Sequence, residues 1–271
     1  ALDTAIIPGP PEVSFDTLYT IPATCFGRAD GQAIVDGAGG NGGPYTYDWS
    51  PGGATTSIVN GLLADEYTVT ITDRDGCTGV YVAEVTQPDS ILVELDTDTS
   101  QDIVCFGDDT GVLAVIAMGG NSGGYSYIWQ DSTGMVVGNT QVVDMLYSGV
   151  YSVTVTDIAG CSGQLQNLAL YDPPRVDGDY LPWEELLCFG DETVLFIDTI
   201  FGGSGGPYKF SLDYGVTLDP GFPVSMSGGV HYITYFDRQF CEHTDTIVVN
   251  EPDPIVVTFT PATVEIELGD S

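Results

Sequence analysis

Basic side chains are nearly missing from this chain. Five Lys and Arg stand against 39 Asp and Glu, for a formal net charge of −34. Such a surface repels phosphate, which excludes nucleic acid as a partner and disfavours direct binding to anionic lipid. Histidine is almost as scarce: His231 and His243 are the two in the sequence, both near its end. Acid–base catalysis therefore has little to work with, and no enzyme activity is expected. There is no Cys-x-x-Cys pair and no paired-histidine spacing, so a zinc site lacks its ligand pattern. No full EF-hand loop occurs. No run of 18 apolar residues is present to cross a membrane as a helix, and there is no Asn-x-Ser/Thr sequon. Neither a starting Met nor a signal peptide is present, so the chain is expected to be a mature product or a fragment of something longer.

What is present comes in threes. Cys105-Phe106-Gly107 is followed by a glycine-rich turn, Gly119–Gly124, by Tyr125-Ser-Tyr127-Ile-Trp129, and by Tyr151–Asp157 with Gly160-Cys161. The same order runs from Cys25-Phe26-Gly27 through Gly39–Gly43, Tyr45-Thr-Tyr47-Asp-Trp49 and Tyr67–Asp73 to Gly76-Cys77. It runs again from Cys188-Phe189-Gly190 through Gly202–Gly206 and Tyr208-Lys-Phe210 to Asp237 and Cys241. A period of about 80 residues sets the domains. The expected division is 10–87, 88–172 and 173–252, with 1–9 the last strand of a preceding repeat and 253–271 the first strand of a following module. Ile255–Phe259 matches Ile91–Leu95 in this reading, and Leu268–Ser271 falls where the next Cys-Phe-Gly would stand. The third repeat departs from the others, with Leu212 in the place of Trp49 and Trp129 and His231 in the place of Tyr67 and Tyr151.

Each repeat reads as all β. Val112–Ala117 and Tyr151–Thr156 are rich in β-branched residues, and Tyr125-x-Tyr127-x-Trp129 alternates at period two. About seven short strands per repeat, with turn residues between them, point to an immunoglobulin-like sandwich. Tyr67 and Tyr151 stand where a tyrosine corner belongs. Leu181–Leu187 is a candidate short helical turn. A sandwich of about 80 residues is marginal on burial alone, and two cysteines per repeat, 52, 56 and 53 residues apart, read as staples. Six cysteines allow 15 pairings. The repeat favours one bond in each sandwich, Cys25–Cys77, Cys105–Cys161 and Cys188–Cys241, each closing one end and contributing roughly 4 kcal/mol. Disulfides imply an oxidising, extracellular setting.

Three kinds of candidate site remain. The glycine-rich turns carry no Lys-Ser/Thr and lead into strands, so they read as structural turns rather than phosphate loops. Acidic residues recur after the first cysteine (Asp30, Asp108, Asp109, Asp191, Glu192) and before the second (Asp73, Asp75, Asp157, Asp237). They could hold structural calcium, which takes six to eight oxygens; ordinary Asp-Gly turn chemistry is the favoured alternative, and no cofactor is required. The aromatic strand could stack on sugars, but repeated aromatics in a sandwich are more often core.

Taken together, the Cys-Phe-Gly, Gly-Gly-x-x-Pro-Tyr-x-Tyr-x-Trp and Tyr-x-Val-Thr-Val-Thr-Asp-x-x-Gly-Cys motifs resemble the SprB repeat. The first two repeats carry the pattern well, and the third carries it with the departures named. The resemblance implies a non-enzymatic segment of a very large surface adhesin of gliding bacteria, exported by type IX secretion. Such bacteria O-glycosylate Asp-Ser/Thr followed by an apolar residue or Thr, which makes Thr4, Thr17, Ser90, Ser132, Thr199 and Thr246 candidate sites. The expected function is a semi-rigid acidic spacer, its joints stiffened by proline, outside the cell and partnered by neighbouring repeats, with surface glycans or another cell as more distant partners. The alternatives are a filament subunit that polymerises by strand exchange and a calcium-dependent carbohydrate-binding module.

Overall fold

The computed structural model describes Gly9, residues 11–181 and residues 183–258. The described residues form nineteen strands, with no helix among them. In the first repeat they are β1 (Val13–Ile21), β2 (Gly31–Gly39), β3 (Thr46–Ser50), β4 (Ile58–Leu62), β5 (Asp65–Thr72) and β6 (Thr78–Val85). The second contributes β7 (Asp89–Leu95), β8 (Gly111–Gly120), β9 (Tyr125–Asp131), β10 (Val136–Gly138), β11 (Val142–Leu146), β12 (Gly149–Asp157) and β13 (Ser162–Leu170). The third contributes β14 (Asp177–Leu181), β15 (Thr193–Phe201), β16 (Lys209–Leu212), β17 (Pro223–Met226), β18 (Gly229–Phe236) and β19 (Glu242–Val249).

Each repeat builds two sheets. The first pairs β1-β2-β4 and β3-β5-β6; the second β11-β8-β7 and β10-β9-β12-β13; the third β14-β15-β17 and β16-β18-β19. Period-two burial follows the alternation in the sequence: along β5 Tyr67, Val69 and Ile71 turn inward, as does Asp73 just past its end, while Thr68, Thr70 and Thr72 are half-exposed. The first core gathers Val35, Trp49, Val69, Ile71 and Val85, and the third Leu195, Ile197, Phe210, Ile233 and Tyr235. Trp49 and Trp129 are fully buried, each donating its indole N–H to a backbone carbonyl, Thr56 at 2.9 Å and Thr140 at 2.8 Å. The aromatic strand is therefore core. The corner expected at Tyr67 forms, its hydroxyl donating to Leu63 O at 3.1 Å. Trp183–Leu187 is irregular, not helical; Trp183 instead stacks on Tyr180 at 5.7 Å.

The contacts divide the chain into two compact units. One is Ala1–Gln101 with Val112–Asp144 and Gly149–Ala169; the other is Asp102–Gly111 with Met145–Ser148 and Leu170–Ser271. The strand expected within 1–9, the Leu268–Ser271 segment and Thr4 lie outside the described residues. Of the strand expected at Ile255–Phe259, the described part is irregular, with Ile255, Val256 and Val257 exposed.

Candidate functional site

The cysteines do not pair within repeats. The bonds are Cys25–Cys161 and Cys105–Cys241, with Cα atoms 5.5 and 5.3 Å apart, each spanning 136 residues; Cys77 and Cys188 are free thiols. The expected pairs Cys25–Cys77, Cys105–Cys161 and Cys188–Cys241 fail for a geometric reason. In the first repeat the Cys25 loop sits where β5 begins and β6 ends: Ala23 N–H donates to Thr86 O at 2.9 Å, and Asp65 pairs with Val85. Cys77 sits at the other end of the same two strands, past the Thr72–Thr78 pair. Eight residues of β5 at about 3.3 Å each put roughly 25 Å between the poles, against the 4.4–6.8 Å a disulfide spans between Cα atoms. The two acidic sets of a repeat are parted in the same way, not gathered at one end.

The loop that carries the first cysteine is a β-turn. Arg28 N–H donates to Cys25 O at 3.1 Å, Asp108 N–H to Cys105 O at 3.1 Å and Asp191 N–H to Cys188 O at 3.3 Å. Its third residue needs positive φ, which explains the glycine of Cys-Phe-Gly: Gly27, Gly107 and Gly190 lie at 70°, 80° and 87°. Each loop is also pinned by the residue two places beyond the last strand of its own repeat. Gly27 N–H donates to Gln87 Oε1 at 2.7 Å, Gly107 N–H to Asp172 Oδ1 at 3.1 Å, and Gly190 N–H to Glu251 Oε1. Asp30 binds the Thr24 N–H at 2.8 Å and accepts from its hydroxyl. Asp191 accepts from Cys188 N–H at 3.1 Å. Asp108 and Asp109 are exposed, as is Glu192.

The turn that carries the second cysteine is organised by one buried aspartate. Asp73 Oδ1 accepts from the N–H groups of Asp75 and Cys77 at 3.0 and 2.9 Å, and Oδ2 from Asn41 N–H in the glycine-rich turn at 2.7 Å. Asp157 does the same with Ala159, Cys161 and Asn121, and Asp237 with Gln239, Cys241 and Ser204. The Asn41 N–H, foremost, holds the Asp73 carboxyl below the usual carboxylate range; Asn121 N–H does so for Asp157. These carboxylates serve as turn caps, and Asp75 stays exposed with a long ion pair to Arg74 at 3.8 Å. A Cβ on Gly40 would come within 2.5 Å of Asp73 Oδ2, so glycine lets the two turns meet.

The disulfide joins a loop to the turn of the following repeat. Thr24 O accepts from Asn121 Nδ2 at 3.0 Å and lies 3.2 Å from Cys161 Sγ. In the second unit Val104 O accepts from Ser204 Oγ at 3.3 Å and lies 3.3 Å from Cys241 Sγ. One cleft of about 440 Å³ beside Cys25–Cys161 includes Phe26, Asp89 and Ile91 in its lining. Its counterpart beside Cys105–Cys241, about 550 Å³, includes Phe106, Pro174 and Val176. The linker residues thus lie against each bond. The cross-repeat pairing escaped the sequence reading; its signal was the shared role of the Gly-rich turn and the Asp-x-x-Gly-Cys turn, which places both at one pole.

Among the described residues, the one metal-competent cluster is Asp177, His243 and Asp245, with ligand atoms within 4.8 Å of one another. None of the nine acidic residues named from the sequence belongs to it. The five described glycosylation candidates, Thr17, Ser90, Ser132, Thr199 and Thr246, are all exposed.

The sequence model of the SprB repeat matches residues 19–54 and 97–134. Two segments of the chain, one in the first repeat and one in the second, are thus similar to the SprB repeat. Both matched segments span the Cys-Phe-Gly loop, β2 or β8, and the aromatic strand; the third repeat lies outside them. Comparison with the curated proteins finds no match. Similar solved structures are tandem immunoglobulin domains. The titin I-band fragment I67–I69 is 14% identical over 91% of this chain and 100% of its own, at a TM-score of 0.35. Sidekick-1 immunoglobulin domains 1–5 are 10% identical over 90% of this chain and 60% of theirs, at 0.32. SprB repeats belong to surface adhesins, and no helix among the described residues is long and apolar enough to cross a membrane.

Proposed function

We propose that this chain is a load-bearing spacer segment of a secreted cell-surface adhesin. The observation that carries the reading is the pair of disulfides, each fastening the loop of one repeat to the turn of the next across the intervening linker. A bond within a sandwich would protect that sandwich alone. A bond across the joint resists bending and shear between neighbours and keeps force off the linker. The overlap of the two bonded spans adds a further constraint. The shortest covalent path enters along 1–25, crosses to Cys161, returns to Cys105, and crosses to Cys241. A fully stretched oxidised chain therefore reaches less than half the length of the reduced one. The acidic surface keeps such segments soluble and apart. Gliding, type IX export and O-glycosylation at the exposed Asp-Ser/Thr positions fit this reading, and calcium is not needed for it.

Single-molecule pulling from the two termini tests it. The oxidised chain should unfold to a final contour below half of that seen after full reduction. Equal contours in the two states would refute the reading.

A further inference from the structure

At one edge of the third repeat, β14 of one sheet and β19 of the other bring Asp177, His243 and Asp245 together, all half-buried, with ligand atoms within 4.8 Å of one another. The matching positions in the other repeats hold neither aspartate nor histidine. His243 and Asp245 stand two and four residues past Cys241; past Cys77 those places hold Gly79 and Tyr81, and past Cys161 Gly163 and Leu165. Asp177 pairs with the residue before the Gly-Gly turn, as Ser14 and Leu92 do in the first and second repeats. In the first repeat an aromatic contact closes this edge: Phe15 meets Tyr81 edge to face at 4.8 Å, and the Tyr81 hydroxyl donates to Val13 O at 2.6 Å. In the third, Gly178 replaces Phe15 and Asp245 replaces Tyr81.

A buried phenol is aimed into the same place. Tyr235 is fully buried, and its Oη has no hydrogen-bond partner among the described residues. It faces His243 directly across the β18–β19 ladder, which puts the two side chains on one face of the sheet. Its ring lies against Gly178, where an added Cβ would come within 2.5 Å of Cε1 and 3.0 Å of Cζ, the carbon that bears the hydroxyl. The phenol thus reaches from β18 to the strand of Asp177, and Asp245 and Asp177 are the charges that act on it most strongly. In the other repeats Ile71 and Val155 occupy this position, with no hydroxyl to satisfy.

We propose that Asp177, His243 and Asp245 bind a divalent transition ion of the zinc type, with Tyr235 Oη hydrogen-bonded to water in the ion's remaining position. Two carboxylates and a neutral imidazole balance the ion's charge, and the imidazole nitrogen selects against calcium and magnesium, which take oxygen. Ligand atoms about 2.1 Å from a tetrahedral zinc lie about 3.4 Å from one another. Gaps of up to 4.8 Å therefore close by no more than about 1.4 Å, and His243 Nε2 already lies 3.0 Å from Asp245 Oδ1. The bound ion would fasten β14 to β19 two residues from Cys241. The spacer reading does not depend on this site: one is read in ion binding, the other in contour length.

The test takes the full chain without a histidine tag, strips it with a chelator and titrates it with zinc chloride by calorimetry. One equivalent should bind, and excess calcium should not displace it. His243→Ala and Asp245→Asn should each weaken binding by more than about tenfold, and Tyr235→Phe by about tenfold. Asp75→Asn and Asp109→Asn, at exposed acidic positions elsewhere, should leave it unchanged. In the unsubstituted chain, where folding is not at issue, the imidazole NMR signals of His243 should shift on addition of zinc while those of His231 stay in place. Absence of binding, several equivalents held without preference, displacement by calcium, or binding that survives His243→Ala would overturn the proposal. So would a Tyr235→Phe variant that binds as tightly as the native chain, or equal shifts at the two histidines.

Discussion

In the first repeat Trp49 fills the centre of the sandwich and Tyr67 pins its corner; in the third, Leu212 and His231 occupy those two positions. The strand register is the same, Trp49 facing Val69 and Leu212 facing Ile233. What changes is where the volume sits. Leu212 is only half-buried, and the space is filled from the next pair along, where Phe210 faces Tyr235 and both are fully buried, in place of Tyr47 facing Ile71. The tyrosine corner survives the loss of tyrosine. His231 Nε2 lies 2.9 Å from Ser227 O, four residues upstream, as Tyr67 reaches Leu63. Its Nδ1 adds a 2.6 Å contact with Asp213. The frame thus tolerates a moved core, provided that the strand start keeps a donor aimed four residues back. The exchange leaves a cost: Tyr235 Oη is buried with no hydrogen-bond partner among the described residues, and burial, foremost, with Asp245 and Asp177 behind it, pushes the phenol well above its usual range.

The largest expected contrast is in the cores. Trp49→Ala should cost the first repeat about 3–5 kcal/mol, and Leu212→Ala less than about 2 kcal/mol, because the leucine is not the keystone of its repeat. Chemical denaturation followed repeat by repeat reads both, and equal losses would mean that the two cores are built alike. The hydroxyls should differ in sign. Tyr67→Phe removes a made hydrogen bond and should destabilise by about 1 kcal/mol, whereas Tyr235→Phe removes an unsatisfied buried group and should stabilise by a similar ~1 kcal/mol. Loss of stability in both would show that Tyr235 Oη has a partner.

The smallest contrast concerns pH. Burial alone would lower His231, but its bonds to Asp213 and Ser227 outweigh this and raise it; burial would likewise raise Asp213, and the bonds from His231 and Tyr232 N–H lower it instead. A raised histidine contributes stability that is whole below the unfolded value of about 6.5 and is lost as pH rises through the folded value. The depressed Asp213 contributes above the usual carboxylate value and loses that contribution as pH falls through its folded one. The third repeat should therefore weaken as pH climbs from about 6.5 through the folded value of His231, a step that the first repeat, with Tyr67 at the corner, lacks. His231→Tyr should remove the difference. Trp183 fluorescence during urea unfolding reports on the third repeat, and a midpoint that does not move with pH would contradict the ion pair.

The fold was legible because its signals are local. Alternation along Tyr125–Trp129, β-branched runs and a motif repeated every 80 residues or so need no knowledge of distant contacts. The Asp-x-x-Gly-Cys turns were legible as turn chemistry for the same reason. The cysteine pairing was not, because similar spacing within each repeat suggests closure there, whereas a bond depends on which pole each turn occupies. The long second-sheet strand β5 separates Cys77 from Cys25, and the second repeat begins at the pole that carries the Cys161 turn, Asp89 pairing with Gly120, so that it offers Cys161 instead. The Asp177–His243–Asp245 cluster escaped notice because its members lie on two strands of different sheets, 66 residues and more apart from Asp177 to the other two.

Disulfide mapping tests the account most directly. The native chain would be alkylated without reduction, digested, and its linked peptides identified by mass spectrometry. The account predicts Cys25–Cys161 and Cys105–Cys241 peptides with alkylated Cys77 and Cys188. Peptides joining Cys25 to Cys77, Cys105 to Cys161 and Cys188 to Cys241 would contradict it.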